Sequence, residues 1–432
     1  MKNKVLRFAK SPFIRNVVIL TSGTAVSQII GMVLSPVITR LYGPEAYGLM
    51  GTFLAIISII SPVAALTYPI SIVLPKNTID AKGLIKISLT ITIFISFVSG
   101  IILLFFNKPI TKLFGLEKIS TFLYLIPIVL ISAGFLQVME QWLIRTNQFQ
   151  VTARSTFIQS VLVNGGKAVI GILHPKAWVL ILFSALTEGI RAFLMFVYSR
   201  GSILRNPSNF NEKRTPILTL VKRYKDFPLY RAPQTFVNAV SESIPVLLLA
   251  SFFGAASVGF YNIGRTVLNI PTQLIGKSIG DVFYPNISKI ANEGKSVSKT
   301  LKKATLFLMI IGIIPYGTVI LTGPALFSFV FGGDWYVAGE YASWIGLWSF
   351  SSLILQPAVR ALPVLSAQRL HLIYTIISLI IRILVLWIGN SIFLDDLITI
   401  ALFGITSSIM NFILILITIK ISQRFDSNNV VQ

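Results

Sequence analysis

Seven basic residues, Arg40, Lys167, Arg191, Arg265, Lys277, Arg360 and Arg382, stand inside runs of apolar residues. A charge at the centre of a bilayer costs about 2.5 kcal/mol or more, so such side chains mark a polar route or an ion site. Their common sign points to an anion. Asn262, Arg265, Asn269, Gln273 and Lys277 recur at helical steps and share one face, with Asp281 one turn further. Arg265 and Lys277 are separated by about 18 Å along that face at a rise of 1.5 Å per residue. Lys277 is close enough to the end of its run to snorkel toward the cytoplasm.

Two other faces carry polar groups at the same spacing. Thr24, Gln28, Gly31, Ser35 and Thr39 line one side of the first apolar run, and Gln234, Asn238, Glu242 and Pro245 line one side of the seventh. Helix-to-helix packing accounts for such a stripe as well as a binding role does, because small and amide side chains bond across membrane helices. Glu242, between Pro233 and Pro245, is the sharpest acidic candidate: it can take up a proton or pair with Arg265. Arg191 follows Glu188 by three residues, which permits a local ion pair. Arg360 and Glu140 lie toward the cytoplasmic ends of their runs, where snorkelling suffices. Lys167 and Arg382 have no facing partner legible from sequence. Arg40, beside Gly43-Pro44, reads as a gate or as an interfacial anchor.

Little else could support covalent chemistry. The chain has no cysteine, and its two histidines are His174 and His371; no set of residues has metal-ligand spacing, and no glycine-rich loop leads into a lysine and a hydroxyl residue. We therefore assign no catalytic residue, no metal and no cofactor. Movement of a cargo would draw on a gradient, on consumption of the product or on a partner.

The elements that position these residues follow from composition. Of 432 residues, 54% are hydrophobic and 12% charged, against about 25% charged in a soluble domain. Mean hydropathy is +0.79. Apolar runs at 14–41, 46–73, 84–106, 120–143, 155–173, 177–199, 232–253, 258–285, 303–331, 341–366, 370–389 and 397–419 each supply about the 20 residues that a membrane crossing needs. The first is too long for a signal peptide and reads as a retained helix. The predicted fold is all-α, a polytopic membrane protein of about 12 transmembrane helices in two six-helix lobes around a central cavity.

With both termini in the cytoplasm, 26 of the 37 Lys and Arg residues fall on the inside, four fall outside and seven remain within spans. This asymmetry, rather than nucleic-acid binding, explains the net charge of +22. An internal repeat sets the lobes. Leu41-Tyr42-Gly43-Pro44-Glu45-Ala46-Tyr47-Gly48 is matched 211 residues later by Phe252-Phe253-Gly254-Ala255-Ala256-Ser257-Val258-Gly259, and Pro109 with Phe114-Gly115 by Pro324 with Phe331-Gly332. Because six is even, the halves share an orientation about an axis along the membrane normal. The expected division is an N-terminal lobe over 1–200, a basic cytoplasmic linker over 201–231, and a C-terminal lobe with a short tail over 232–432.

The stretch from Ser35-Pro36 through Arg40-Leu41-Tyr42-Gly43-Pro44 to Tyr47-Gly48 resembles the first-loop signature of Wzx-type polysaccharide flippases, of the multidrug/oligosaccharidyl-lipid/polysaccharide exporter superfamily. Tyr224-Lys225-Asp226-Phe227-Pro228 and Val258-Gly259-Phe260-Tyr261-Asn262-Ile263-Gly264-Arg265 agree with it, and the similarity runs over essentially the whole chain. The resemblance implies a protein of the bacterial cytoplasmic membrane that moves an undecaprenyl-pyrophosphate-linked oligosaccharide to the outer leaflet by alternating access. It implies membrane lipids around the protein, and a polysaccharide polymerase and chain-length regulator as partners. On that reading Arg265, with Arg40, Lys277 or Arg382, holds the pyrophosphate; Gln28, Asn238, Asn269 and Gln273 contact sugar; and Glu242 couples an ion.

Two other classes compete. A multidrug antiporter of the same superfamily would present an acid-rich lumen, whereas bases here outnumber Glu140, Glu188, Glu242 and Asp281 within the spans. A membrane-embedded polymerase or glycosyltransferase would carry a large outer loop, and the longest outer segment here is about a dozen residues, near 107–119.

Overall fold

In the computed structural model, residues 12–113, 116–199 and 215–430 are described, without the side chains of 12–25, 113, 273–282, 284–285 and 428–430. The long helices are α1 (Pro12–Ile60), α2 (Thr78–Leu113), α3 (Ile126–Arg145), α4 (Phe149–Leu173), α5 (Ala177–Tyr198), α7 (Ala232–Phe253), α8 (Ala255–Asn292), α9 (Val297–Phe331), α10 (Tyr336–Ala361), α11 (Gln368–Ile388) and α12 (Asp396–Val430), and a short α6 spans Ile217–Arg223. There is no strand among the described residues. The chain forms two compact units, Met1–Ser251 and Phe252–Gln432.

The first two expected spans are the two arms of α1, joined at Gly43, whose backbone is non-helical (φ 69°, ψ 173°). Only glycine adopts that region readily, and Pro44, with its fixed φ, starts the second arm. The repeat is visible in the backbone: Gly254, which starts α8, has φ 87° and ψ −172°. Gly332 lies in the same region, while its counterpart Gly115 falls outside the described residues.

The second span ends sooner than its apolar run suggests. Pro62 and Pro69 lack the N–H that a continuing helix needs, so after Ile60 the chain passes into 3-10 turns at Ser61–Val63 and Tyr68–Val73. These turns pack with α2 and α3 around Tyr68, Ile72, Leu84 and Trp142, joined by Leu220 of α6. Arg145, expected to serve only as an inside charge, closes the end of this segment. Its Nη1 donates to the carbonyls of Ile72 (3.2 Å) and Pro75 (2.6 Å), and its Nη2 to that of Lys76 (3.3 Å).

In the second unit α10 is the central helix, packed on α8, α9 and α12. Nine helices among the described residues are long and apolar enough to cross a membrane, and α8 and α10 are not among them. A helix shielded from lipid by its neighbours need not be apolar all round. Accordingly α10 buries Ala338, Gly339, Ala342, Gly346 and Ser349. A Cβ on Gly339 would sit 2.3 Å from the Gly323 carbonyl oxygen of α9, so two glycines set this backbone approach. At the α9 N-terminus Asp426 of α12 accepts from the amides of Val297 (2.8 Å) and Ser298 (3.0 Å), and Ser296 caps Lys299 N.

Gly43→Ala and Gly254→Ala should each destabilise the protein by about 1–3 kcal/mol through backbone strain. No atom lies within 4 Å of either added Cβ, so the loss in thermal unfolding should be equally large with serine. Arg145→Met leaves three carbonyls without their donor. A cost of about 1–3 kcal/mol is expected, read as faster proteolytic nicking near 74–77.

Candidate functional site

The two cations that the sequence placed on separate helices, Arg265 of α8 and Arg382 of α11, meet on one side chain of α10. Their guanidinium carbons lie 5.8 and 5.5 Å from the ring centroid of Trp348. The indole is itself held by Phe403 of α12, edge-on at 5.3 Å between ring centroids. Phe403 is 1% exposed, so the ring that gathers the cations has a fixed backing. Cation–π attraction contributes about 0.5–2 kcal/mol for such a contact.

The α8 stripe adds polar groups to this cluster. Asn269 follows Arg265 by about one turn and is half-buried. Asn262, a turn earlier, has a buried Nδ2 that meets no acceptor among the described residues. The side chains of Gln273, Lys277 and Asp281 lie outside the described residues. Opposite faces of the same region are tied by amide bonds: Asn411 Nδ2 donates to Ser351 and Ser352 Oγ, both at 2.9 Å. Guanidiniums and amides are the groups that bind an oxyanion through several N–H donors, and both types stand on these helices near Trp348.

The remaining candidates belong to the first unit. Arg40 and Gln28 of α1 and Asn238 and Glu242 of α7 are exposed. The small-polar stripe of α1 divides by role. A Cβ added to Gly31 would meet Asn164 Nδ2 of α4 at 3.8 Å, and Thr39 is buried; beside them Ser27, outside the stripe, accepts from Ser160 Oγ through its carbonyl (2.9 Å), so this side of the helix packs. Gln28 stands on the exposed side of the same helix.

Three intramembrane charges differ from expectation. Arg191 Nη2 pairs with Glu140 Oε1 at 2.6 Å rather than with Glu188 beside it, so Glu140 is not merely snorkelling. An i, i+3 neighbour on α5 is displaced by a carboxylate from α3 because the two helices pack directly. Glu188 instead accepts from Ser61 Oγ at 3.4 Å. Lys167, without a legible partner in the sequence, donates to Ser184 Oγ (2.9 Å) and lies 3.7 Å from Met50 Sδ. The backbone carbonyl of Lys167 accepts from Tyr42 Oη at 2.7 Å, next to the Gly43 bend.

Trp348 and the Lys167 surroundings were not found from periodicity. Trp348 sits in an uncharged run, and its role depends on residues about 80 positions away on one side and 35 on the other. Only an unusual tryptophan well inside a span could have drawn notice.

The fold is shared with solved transporters. It superposes on "Lipid II flippase MurJ, inward closed conformation" with a TM-score of 0.71 and 17% identity, covering 96% of this chain and 91% of that one. An inward-facing multidrug resistance MATE family transporter of the MOP superfamily gives 0.70 at 12% identity, with 94% and 99% covered. A MOP superfamily transporter from Pyrococcus furiosus, described as having a binding pocket of reverse polarity, gives 0.61 at 12% identity, with 96% and 95% covered. Among curated proteins, the teichuronic acid biosynthesis protein TuaB of Bacillus subtilis (strain 168) is 20% identical over 137 residues, which span 32% of this chain and 28% of that protein. The family model described as "Polysaccharide biosynthesis protein" matches residues 37–340, well over half of the sequence. This multi-pass membrane protein therefore belongs to the polysaccharide biosynthesis protein family.

Proposed function

We propose that the protein carries an undecaprenyl-pyrophosphate-linked oligosaccharide from the cytoplasmic to the outer leaflet of a bacterial cytoplasmic membrane, by alternating access, during assembly of a surface polysaccharide. The observation that carries this reading is the convergence of Arg265 and Arg382 on Trp348. A diphosphate presents several oxygens and more than one negative charge, and paired guanidiniums match both. The family and the superfamily fold supply the lipid-linked sugar as the class of cargo.

In this reading Arg265 and Arg382 hold the pyrophosphate, and Arg40 and Lys277 assist along its route. Asn269 and Gln273 on the α8 face, with Gln28 and Asn238, meet sugar hydroxyls. Glu242, exposed on α7, serves as the coupling acid. The polymerase and chain-length regulator would receive the product at the outer face. The prenyl tail stays in lipid.

Arg265→Ala and Arg382→Ala should each slow flipping roughly 10- to 100-fold, since a charge-assisted hydrogen bond contributes about 1.5–3 kcal/mol. Measurement requires lipid-linked glycan on the outer leaflet of vesicles, normalised to the amount of folded protein. Full transport by the double variant would overturn the assignment, as would drug-for-proton exchange without movement of the sugar lipid. Trp348→Leu keeps both cations but removes the ring that gathers them. It should give a smaller loss, about 3- to 30-fold from a cation–π contribution of 0.5–2 kcal/mol.

A further inference from the structure

Within the first unit, four of the helices border a cavity of about 320 Å³ that the Arg265–Arg382 cluster does not use. Gln159, Asn164 and Lys167 line it from α4, and Ser184, Thr187 and Glu188 from one face of α5; aliphatic side chains of α1, α3 and α4 complete the wall. The α5 residues are spaced by three and one and share one helical side, while the α4 residues spread over a wider arc that the pocket spans.

The polar groups here are incompletely satisfied. Gln159 is only 9% exposed and makes no hydrogen bond with any described residue. Asn164 Nδ2 donates back to Ser160, to its carbonyl at 3.0 Å and its Oγ at 3.2 Å, which leaves the amide oxygen as an acceptor. Lys167 Nζ meets a neutral hydroxyl at 2.9 Å and no carboxylate within 4 Å. The Arg191 ion pair is made with Glu140, and Glu188 beside it accepts from Ser61 Oγ at 3.4 Å. An ammonium, a carboxylate and two amides thus face one half-open pocket whose remaining wall is aliphatic. Buried amides and charges in hydrocarbon are costly unless bonded.

Donors and acceptors in alternation, with an apolar face opposite, are the complement of a pyranose ring: hydroxyls around its edge and C–H groups on its faces. A chain lipid would leave the polar wall unbonded, and a bare ion would leave the amides unused. The volume lies at the small end of ligand pockets, about 300–1,000 Å³, which suits one sugar unit rather than an oligosaccharide. We propose that this cavity is a saccharide subsite that binds a single hexose-sized residue, with Glu188 accepting from hydroxyls, Lys167 donating to ring or carboxylate oxygens and Gln159 bridging them. The inference rests on the glycan reading above but on different residues.

The test is saturation-transfer NMR on the full-length protein in nanodiscs, with three probes at millimolar concentration: methyl glucoside, N-acetylglucosamine and glucuronate. At least one should receive saturation at its ring protons. The signal should fall at least fivefold in Gln159→Leu and in Glu188→Gln. If either charge-altering or amide variant fails to fold, Thr187→Phe decides the matter, because it fills the cavity while keeping every charge and should abolish the signal. Absence of transfer from all three sugars, or an undiminished signal in folded Thr187→Phe, overturns the assignment. If flipping still depends on Arg265 and Arg382, only the cavity assignment falls. If flipping survives loss of both arginines, the glycan-transport reading falls first.

Discussion

Hydrocarbon offers no hydrogen bonds, so each backbone polar group that this chain carries into the membrane has to be matched within the chain, and a side chain left unmatched there is costly. Hydroxyls do this locally. Ser88 donates to Leu84, Thr92 to Ser88 and Thr418 to Leu414, each one turn back on its own helix. Bends are harder, because a bend breaks the ladder itself. At Gly43 and Gly254 the break is confined to one glycine, the only residue type that enters that backbone region cheaply. Where the 3-10 segment after Ile60 ends, the carbonyls of Ile72, Pro75 and Lys76 are collected by Arg145, whose guanidinium carries five donors.

The same constraint explains why α10, which is not apolar enough throughout to count as a spanning helix, can still be central. Lipid-facing helices are selected for bulk and hydropathy, whereas an enclosed helix gains by close approach. Gly323 and Gly339 bring α9 and α10 together at a distance that any side chain would forbid. Trp348, about two and a half helical turns further along α10, receives Arg265 from α8 and Arg382 from α11.

How much was legible follows from what periodicity reports. Apolar length located every long helix, and the 211-residue offset between Gly43 and Gly254 anticipated a shared backbone conformation. The end of the second span was misplaced because hydropathy continues through Pro62 and Pro69 while helical hydrogen bonding does not. A stripe on one helix shows that several residues face the same way; it does not say what they face. Thus the α1 stripe contained Gly31, which packs on Asn164, and Gln28, which does not. Glu140 was assigned to the interface because its partner lies 51 residues on, across a helix pair. The Gln159–Glu188 cavity escaped notice for the same reason: its polar wall is divided between α4 and α5 and neither share looks unusual alone.

The partner given to a buried base decides what the base can do next. Arg191 against Glu140 at 2.6 Å is neutralised as a pair, and removing either member would strand the other, so the pair serves the fold. Lys167 against Ser184 is bonded but not neutralised, and its charge remains to be met by whatever enters the cavity. An indole is a third kind of partner. It attracts a cation through the face of its ring without supplying a full negative charge, so the Trp348 contacts of Arg265 and Arg382 do not themselves cancel either charge. For the anionic cargo proposed above, such a support is apt: a carboxylate in the ring's place would compete with the anion, whereas the indole helps to position the cations without offering a carboxylate of its own.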